Sequence, residues 1–122
     1  MGVEIKISEN GKYIIGRVNE PMTRDIANIL AIEYVKLINA TGIKRILNDV
    51  RCSQDIMDTL QGYEYAYNDV KAAELPHDIR SVILVDEGDD SHNFQETVAR
   101  NAGYMVKIFR SHKEAIDWLM AE

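Results

Sequence analysis

The chain of 122 residues holds one cysteine, Cys52, and two prolines, Pro21 and Pro76. A lone cysteine excludes an internal disulfide and a cysteine-built zinc site. No apolar run is long enough to span a membrane. The opening Met1-Gly2-Val3-Glu4-Ile5-Lys6 lacks the apolar core of a signal peptide, and Lys6 stands where a myristoylation motif wants Ser or Thr. Basic residues are scarce too, 14 against 20 acidic, for a net charge of −6. That balance disfavours a nucleic-acid binder, which needs a basic face to replace counterions. The expectation is a soluble cytoplasmic chain. Apolar residues make up 46% and charged residues 28%, enough core and surface for one domain over 1–122.

Periodicity and breakers divide the chain. Val3, Ile5 and Ile7 alternate with charged or polar residues, as in a half-buried strand. The turn pair Asn10-Gly11 follows, then a returning strand over 13–18. Pro21 stops the ladder, and Thr23 is placed to cap a first helix running to about Thr41. Ile26, Ile29, Leu30, Tyr34, Leu37 and Ile38 form its inner stripe, and Gly42 suits a left-handed end. Residues 43–50 make the next strand. A second helix is expected over about 55–73, with Ile56, Leu60, Tyr63, Tyr67 and Val70 inward, ended by Leu75-Pro76. The apolar run 81–85 suits a central parallel strand. An acidic loop over 86–90 leads to a third helix capped by Ser91 and ended by Gly103. The last strand spans 104–109, and Ser111-His112-Lys113-Glu114 is a capping box for a terminal helix. The order is β-β-α-β-α-β-α-β-α. It predicts an α/β sandwich with a five-stranded mixed sheet and four helices, an antiparallel hairpin followed by parallel strands.

That order resembles the STAS domain, and within it the SpoIIAA-like group, related in shape to lipid-binding CRAL-TRIO (Sec14-like) domains. The resemblance is carried by the Asp49-x-Arg51 corner and by Val82-Ile83-Leu84-Val85-Asp86 into Phe94-x-x-x-Val98-Ala99. The closing Val106-Lys107-Ile108-Phe109-Arg110 into Ala115-Ile116-x-Trp118-Leu119 adds to it. It implies regulation through protein–protein contact. Phospho-regulated STAS domains carry Asp-Ser-Ser/Thr-Gly, with the phosphorylated hydroxyl two residues after a strand-ending aspartate. Here Asp49 matches, but Arg51 occupies the hydroxyl position and Cys52 the glycine. Ser53 is the nearest substitute.

The candidate regulatory corner is therefore Asp49, Arg51, Ser53 and Asp86. Arg51 and a helix start could hold an anion. The simpler reading pairs Arg51 with Asp49 or Asp86 and makes Ser53 an N-cap, worth roughly 1 kcal/mol. Cys52 is a reactive thiol at a helix start or, more simply, a small buried filler. Asp86, Glu87, Asp89 and Asp90 lack EF-hand spacing and read as a solvated loop, so no metal is expected. The scattered His77, His92 and His112 show no helical metal-ligand spacing. No catalytic signature and no cofactor motif stands out, so an enzyme is not expected. Tyr65 falls on the expected outer face of the second helix, Met57 adds an adaptable apolar contact in the same helix, and the two are the interface candidates. The expected function is a non-catalytic STAS-type module that binds a protein partner, or a second copy as a homodimer, through that helix and the corner before it. The alternative is a carrier of a small apolar or amphipathic ligand, which the CRAL-TRIO resemblance allows.

Overall fold

The structure, a computed structural model, describes residues 2–121. Its five strands are β1 (Val3–Ile7), β2 (Ile14–Val18), β3 (Arg45–Asp49), β4 (Arg80–Leu84) and β5 (Met105–Phe109). They lie side by side in the order β1-β2-β3-β4-β5. β1 and β2 are antiparallel, and every later pair is parallel. The helices are α1 (Arg24–Thr41), α2 (59–72), α3 (Asn93–Asn101) and α4 (His112–Met120). This is the expected mixed sheet with four helices.

Each parallel step moves one strand along in the same direction. Crossovers of one hand then place their helices on one face of the sheet. That face holds the larger core: Ile26, Leu30, Tyr34 and Ile38 of α1 against Ile14, Val18, Ile46 and Val50. Only α4 needs no crossover, and it covers the other face, where Ala115 and Leu119 meet Leu47, Val82 and Leu84. The alternation of Ile46 with Leu47 follows from the two-residue period of a strand buried on both sides.

Local chemistry sets α1. The Thr23 hydroxyl accepts from the Ile26 N–H at one end, and Gly42, at φ 77°, closes the other. Ile29, expected inside, is 40% exposed. Beneath the helix, Gly16 of β2 is buried where the Tyr34 ring crosses it, and the Tyr34 hydroxyl donates to Asn48 Oδ1 at 2.7 Å. The Asn48 amide in turn donates to the Val82 carbonyl at 3.0 Å. One polar chain therefore runs from α1 through β3 to β4 in the larger core.

α2 departs from expectation. It starts at Thr59 and not at Asp55, because Asp58 accepts from the Gln61 N–H while Gln61 accepts from the Asp58 N–H, a full capping box. Asp55 lies before the helix, in a short bridge with Met22. The middle of α2, Tyr65–Asp69, is π-helical. A π turn takes more residues per turn than an α turn, so the inner stripe repeats every four residues: Gly62, Ala66, Val70. Leu60 and Tyr63, expected inside, are outside, and Tyr63 stacks on Tyr67 at 4.6 Å.

Candidate functional site

The corner after β3 is tied down by Asp49. Its side chain is nearly enclosed, and it accepts from Arg51 Nε at 2.9 Å and Arg51 Nη2 at 2.7 Å. Arg17 of β2 adds Nε at 3.2 Å. Burial alone would raise the Asp49 carboxyl, but hydrogen bonds from Arg51 and Arg17 outweigh it and hold the group below the usual carboxylate range. The expected Arg51–Asp49 pair is present. Asp86 joins the corner through the backbone, accepting the Cys52 N–H at 2.6 Å.

Ser53 belongs elsewhere. It is 1% exposed, its hydroxyl donates to the Glu20 carbonyl at 2.7 Å, and its own carbonyl faces His92 Nε2 at 2.7 Å. It therefore does not cap α2, which starts six residues later. Its hydroxyl is closed to solvent while the Glu20 contact stands. Ser91 likewise does not cap α3: its hydroxyl accepts from the Asp55 N–H at 2.9 Å.

Cys52 is exposed, not a buried filler, and it adopts φ 68°. In that left-handed conformation, which glycine adopts freely, an L-residue is strained by roughly 1–2 kcal/mol. Cys52→Gly is expected to stabilise the protein by about 0.5–1 kcal/mol, since the greater freedom of unfolded glycine offsets part of the relief. Urea unfolding measures it, and an unchanged or lower midpoint would show that the corner is not strained.

Met57 and Tyr65, the expected interface residues, turn inward. Both pack on the larger core, and the Tyr65 hydroxyl donates to the Ala27 carbonyl at 3.1 Å. They line a cavity of about 130 Å³ between the helices and the sheet, with Leu30, Tyr34, Ile83 and Tyr104. Asp69, at the end of the π turn, takes a two-pronged contact from Arg24 (2.6 and 2.8 Å) and a third from Asn28 at 3.0 Å. That cluster fastens α2 to α1.

Beside exposed polar residues such as Gln61, Asn68 and Lys71, large apolar side chains also stand outside on α2 and on the segment before it. Leu60 is 67% exposed, Ile56 57% and Tyr63 51%, with Phe94 of α3 43% exposed nearby. A β-carbon on Gly62 would stand 3.3 Å from the Phe94 ring, so glycine lets α3 approach and brings Phe94 beside the strip. Monomeric surfaces seldom gather this many large apolar residues unless something covers them. The sequence carried one signal for it: the Asp58-Thr59-Leu60-Gln61 box, which fixes the helix start. Among the described residues no cluster of His, Cys, Asp and Glu could hold a metal ion, and no helix is long and apolar enough to cross a membrane.

Comparisons with known proteins bear on the fold. No family model matches the chain, and no curated protein matches it significantly. Among solved structures it is similar to an uncharacterized protein of the DUF3478 family, with a SpoIIAA-like fold, from Shewanella loihica PV-4. The two share 18% identity over 96% of this chain and 91% of that chain, with a TM-score of 0.56. A likeness over nearly the whole of both chains, added to a hairpin-first sheet in the order β1-β2-β3-β4-β5, gives this chain a SpoIIAA-like α/β fold.

Proposed function

We propose that the protein works by binding another protein, without catalysis, through the outer face of α2. The observation that carries this reading is the exposed strip of Ile56, Leu60 and Tyr63 with Phe94 beside it. Interfaces draw their energy from a few large apolar and aromatic side chains at the centre of a patch, and this strip supplies four. The strip starts at the end of the segment that leads from the Asp49–Arg51 corner into α2. The partner surface is therefore apolar at its centre and polar at its rim.

Leu60→Asp tests it. Leu60 touches solvent and not the core, so the thermal midpoint is expected to shift by only a degree or two. Capture of the partner from native lysate is expected to fall at least tenfold, because a charge in a desolvated contact is left unpaired. Partner capture equal to that of the unaltered protein would sink the reading.

The inward cavity favours a second reading, carriage of a small ligand. Its 130 Å³ lies well below the roughly 300–1,000 Å³ of ordinary ligand pockets. It suits a ligand of a few heavy atoms and not a lipid. Native mass spectrometry of the purified protein, finding no added mass, would count against it.

A further inference from the structure

The two edges of the sheet are treated differently. At β5, residues 106 and 108 point their backbone groups outward, and α3 covers both. Glu96 accepts the Ile108 N–H at 2.7 Å, and Arg100 donates to the Val106 carbonyl at 2.7 Å. Those are the groups a further strand would need, so side chains close this edge to pairing.

β1 has no such cover. Asn19 donates to the Gly2 carbonyl, and Ser8 to the Tyr13 carbonyl. Even-numbered residues of β1 therefore face β2, and Val3, Ile5 and Ile7 send their N–H and C=O groups to the open side. None of these outward groups has a partner among the described residues. The strand carries no proline, and its register with β2 runs unbroken from Val3↔Val18 to Ile7↔Ile14. An open edge strand with unpaired backbone groups and no proline is a template for another strand.

We infer that β1 is a self-association edge, on which a second copy of the chain pairs its own β1 antiparallel about a two-fold axis at Ile5. The charge pattern selects this occupant. With Ile5 opposite the partner's Ile5, Glu4 falls opposite the partner's Lys6, and Lys6 opposite the partner's Glu4. Each charge meets its opposite, which is the self-complementarity a two-fold interface requires. On the other face, Val3 meets the partner's Ile7, and the half-exposed Ile7 gains an apolar neighbour. The pairing supplies about six backbone hydrogen bonds and joins two five-stranded sheets into one. Arg24 and Asn28 face α2, which leaves Ile29, 40% exposed, on the β1 side of α1 as further apolar surface beside the seam. This edge lies across the sheet from the strip proposed for the protein partner, so both surfaces can be occupied together.

Charge reversal tests it. Glu4→Lys alone and Lys6→Glu alone each set like charges against one another twice across the axis. Each is expected to weaken the dimer roughly tenfold or more. An equimolar mixture of the two variants restores opposite charges in every pair and is expected to dimerise again. The Glu4→Lys/Lys6→Glu double variant, in which the signs are swapped but still complementary, is expected to self-associate like the unaltered chain. Sedimentation equilibrium reads all four. At high concentration the amides of Val3, Ile5 and Ile7 should also gain protection from hydrogen exchange. An unaltered chain that stays monomeric at its highest soluble concentration overturns the inference. So does a dimer indifferent to both single reversals, or one whose β1 amides stay unprotected, since either would place the contact elsewhere. Loss of the α2 partner on Leu60→Asp leaves these outcomes unaffected, so the two readings can fail separately.

Discussion

Gly16→Ala is expected to destabilise the protein by about 3 kcal/mol, measured as a lower urea midpoint. A β-carbon at Gly16 would stand 1.8 Å from the Tyr34 hydroxyl oxygen and 2.7 Å from the ring carbon that bears it. Neither neighbour can yield cheaply. Tyr34 is buried in the centre of α1's inner stripe, and its hydroxyl is committed to Asn48. Moving the ring breaks that bond, and moving β2 breaks its ladder with β3. Tyr34→Phe alone should cost about 1–2 kcal/mol, because the Asn48 carbonyl loses its donor. In the Gly16→Ala background the same change should recover part of the loss, since it removes the closest atom in the clash. A double-mutant cycle therefore carries a favourable coupling. A Gly16→Ala cost below about 1 kcal/mol, or purely additive costs, would mean that Tyr34 shifts freely and does not lock α1 to the sheet.

Asp69→Ala is expected to cost about 2–3 kcal/mol and to loosen α2 from α1. The carboxylate is mostly enclosed and accepts from Arg24 twice and from Asn28 once. Removing it leaves a half-enclosed guanidinium and an amide without an acceptor. The Arg24 hydrogen bonds, helped by Asn28, hold the Asp69 carboxyl below its ordinary value against the opposing pull of burial. A depressed native value stabilises the folded state fully above the unfolded carboxyl value of about 3.9. The contribution is lost as pH falls from there through the native value. Stability of the unaltered chain should therefore decline with acid in this range, and Asp69→Ala should make the decline shallower. An equal acid slope in the two proteins would remove Asp69 from the account. Hydrogen exchange over 59–72, faster in Asp69→Ala than in the unaltered chain, would show that the fastening of α2 is local.

Elements fixed by neighbouring residues were readable from the sequence. The ends of α1 are set by Thr23 and Gly42, a few positions from the groups they satisfy. The strands show as apolar runs, and the hairpin shows as Asn10-Gly11. The Arg51–Asp49 pair is two residues apart, and it too could be foreseen. Ser53 could not, because its hydroxyl bonds Glu20, far along the chain, and the distance between them closes only in the folded sheet. α2 failed for a different reason. A period of 3.6 places large apolar residues inside, yet the buried positions include the small Gly62 and Ala66, and Gly62 lets α3 approach. The extra residue in the π turn then shifts the phase of everything before it. Tyr65 therefore lies inward while Tyr63 and Leu60 face solvent, and Met57 turns inward from the segment before the helix.

The π turn in α2 also bears on how this protein can change over generations. A π turn is what remains when one residue is inserted into an α-helix that still has to keep its far end in place. In α2 it separates two duties that usually share a single face. Val70 and Asp69 hold the helix to the body of the protein, while Leu60 and Tyr63 on the earlier turns face the solvent. Substitutions at 60 and 63 can therefore change the chemistry of this exposed surface while the core beneath stays unaltered.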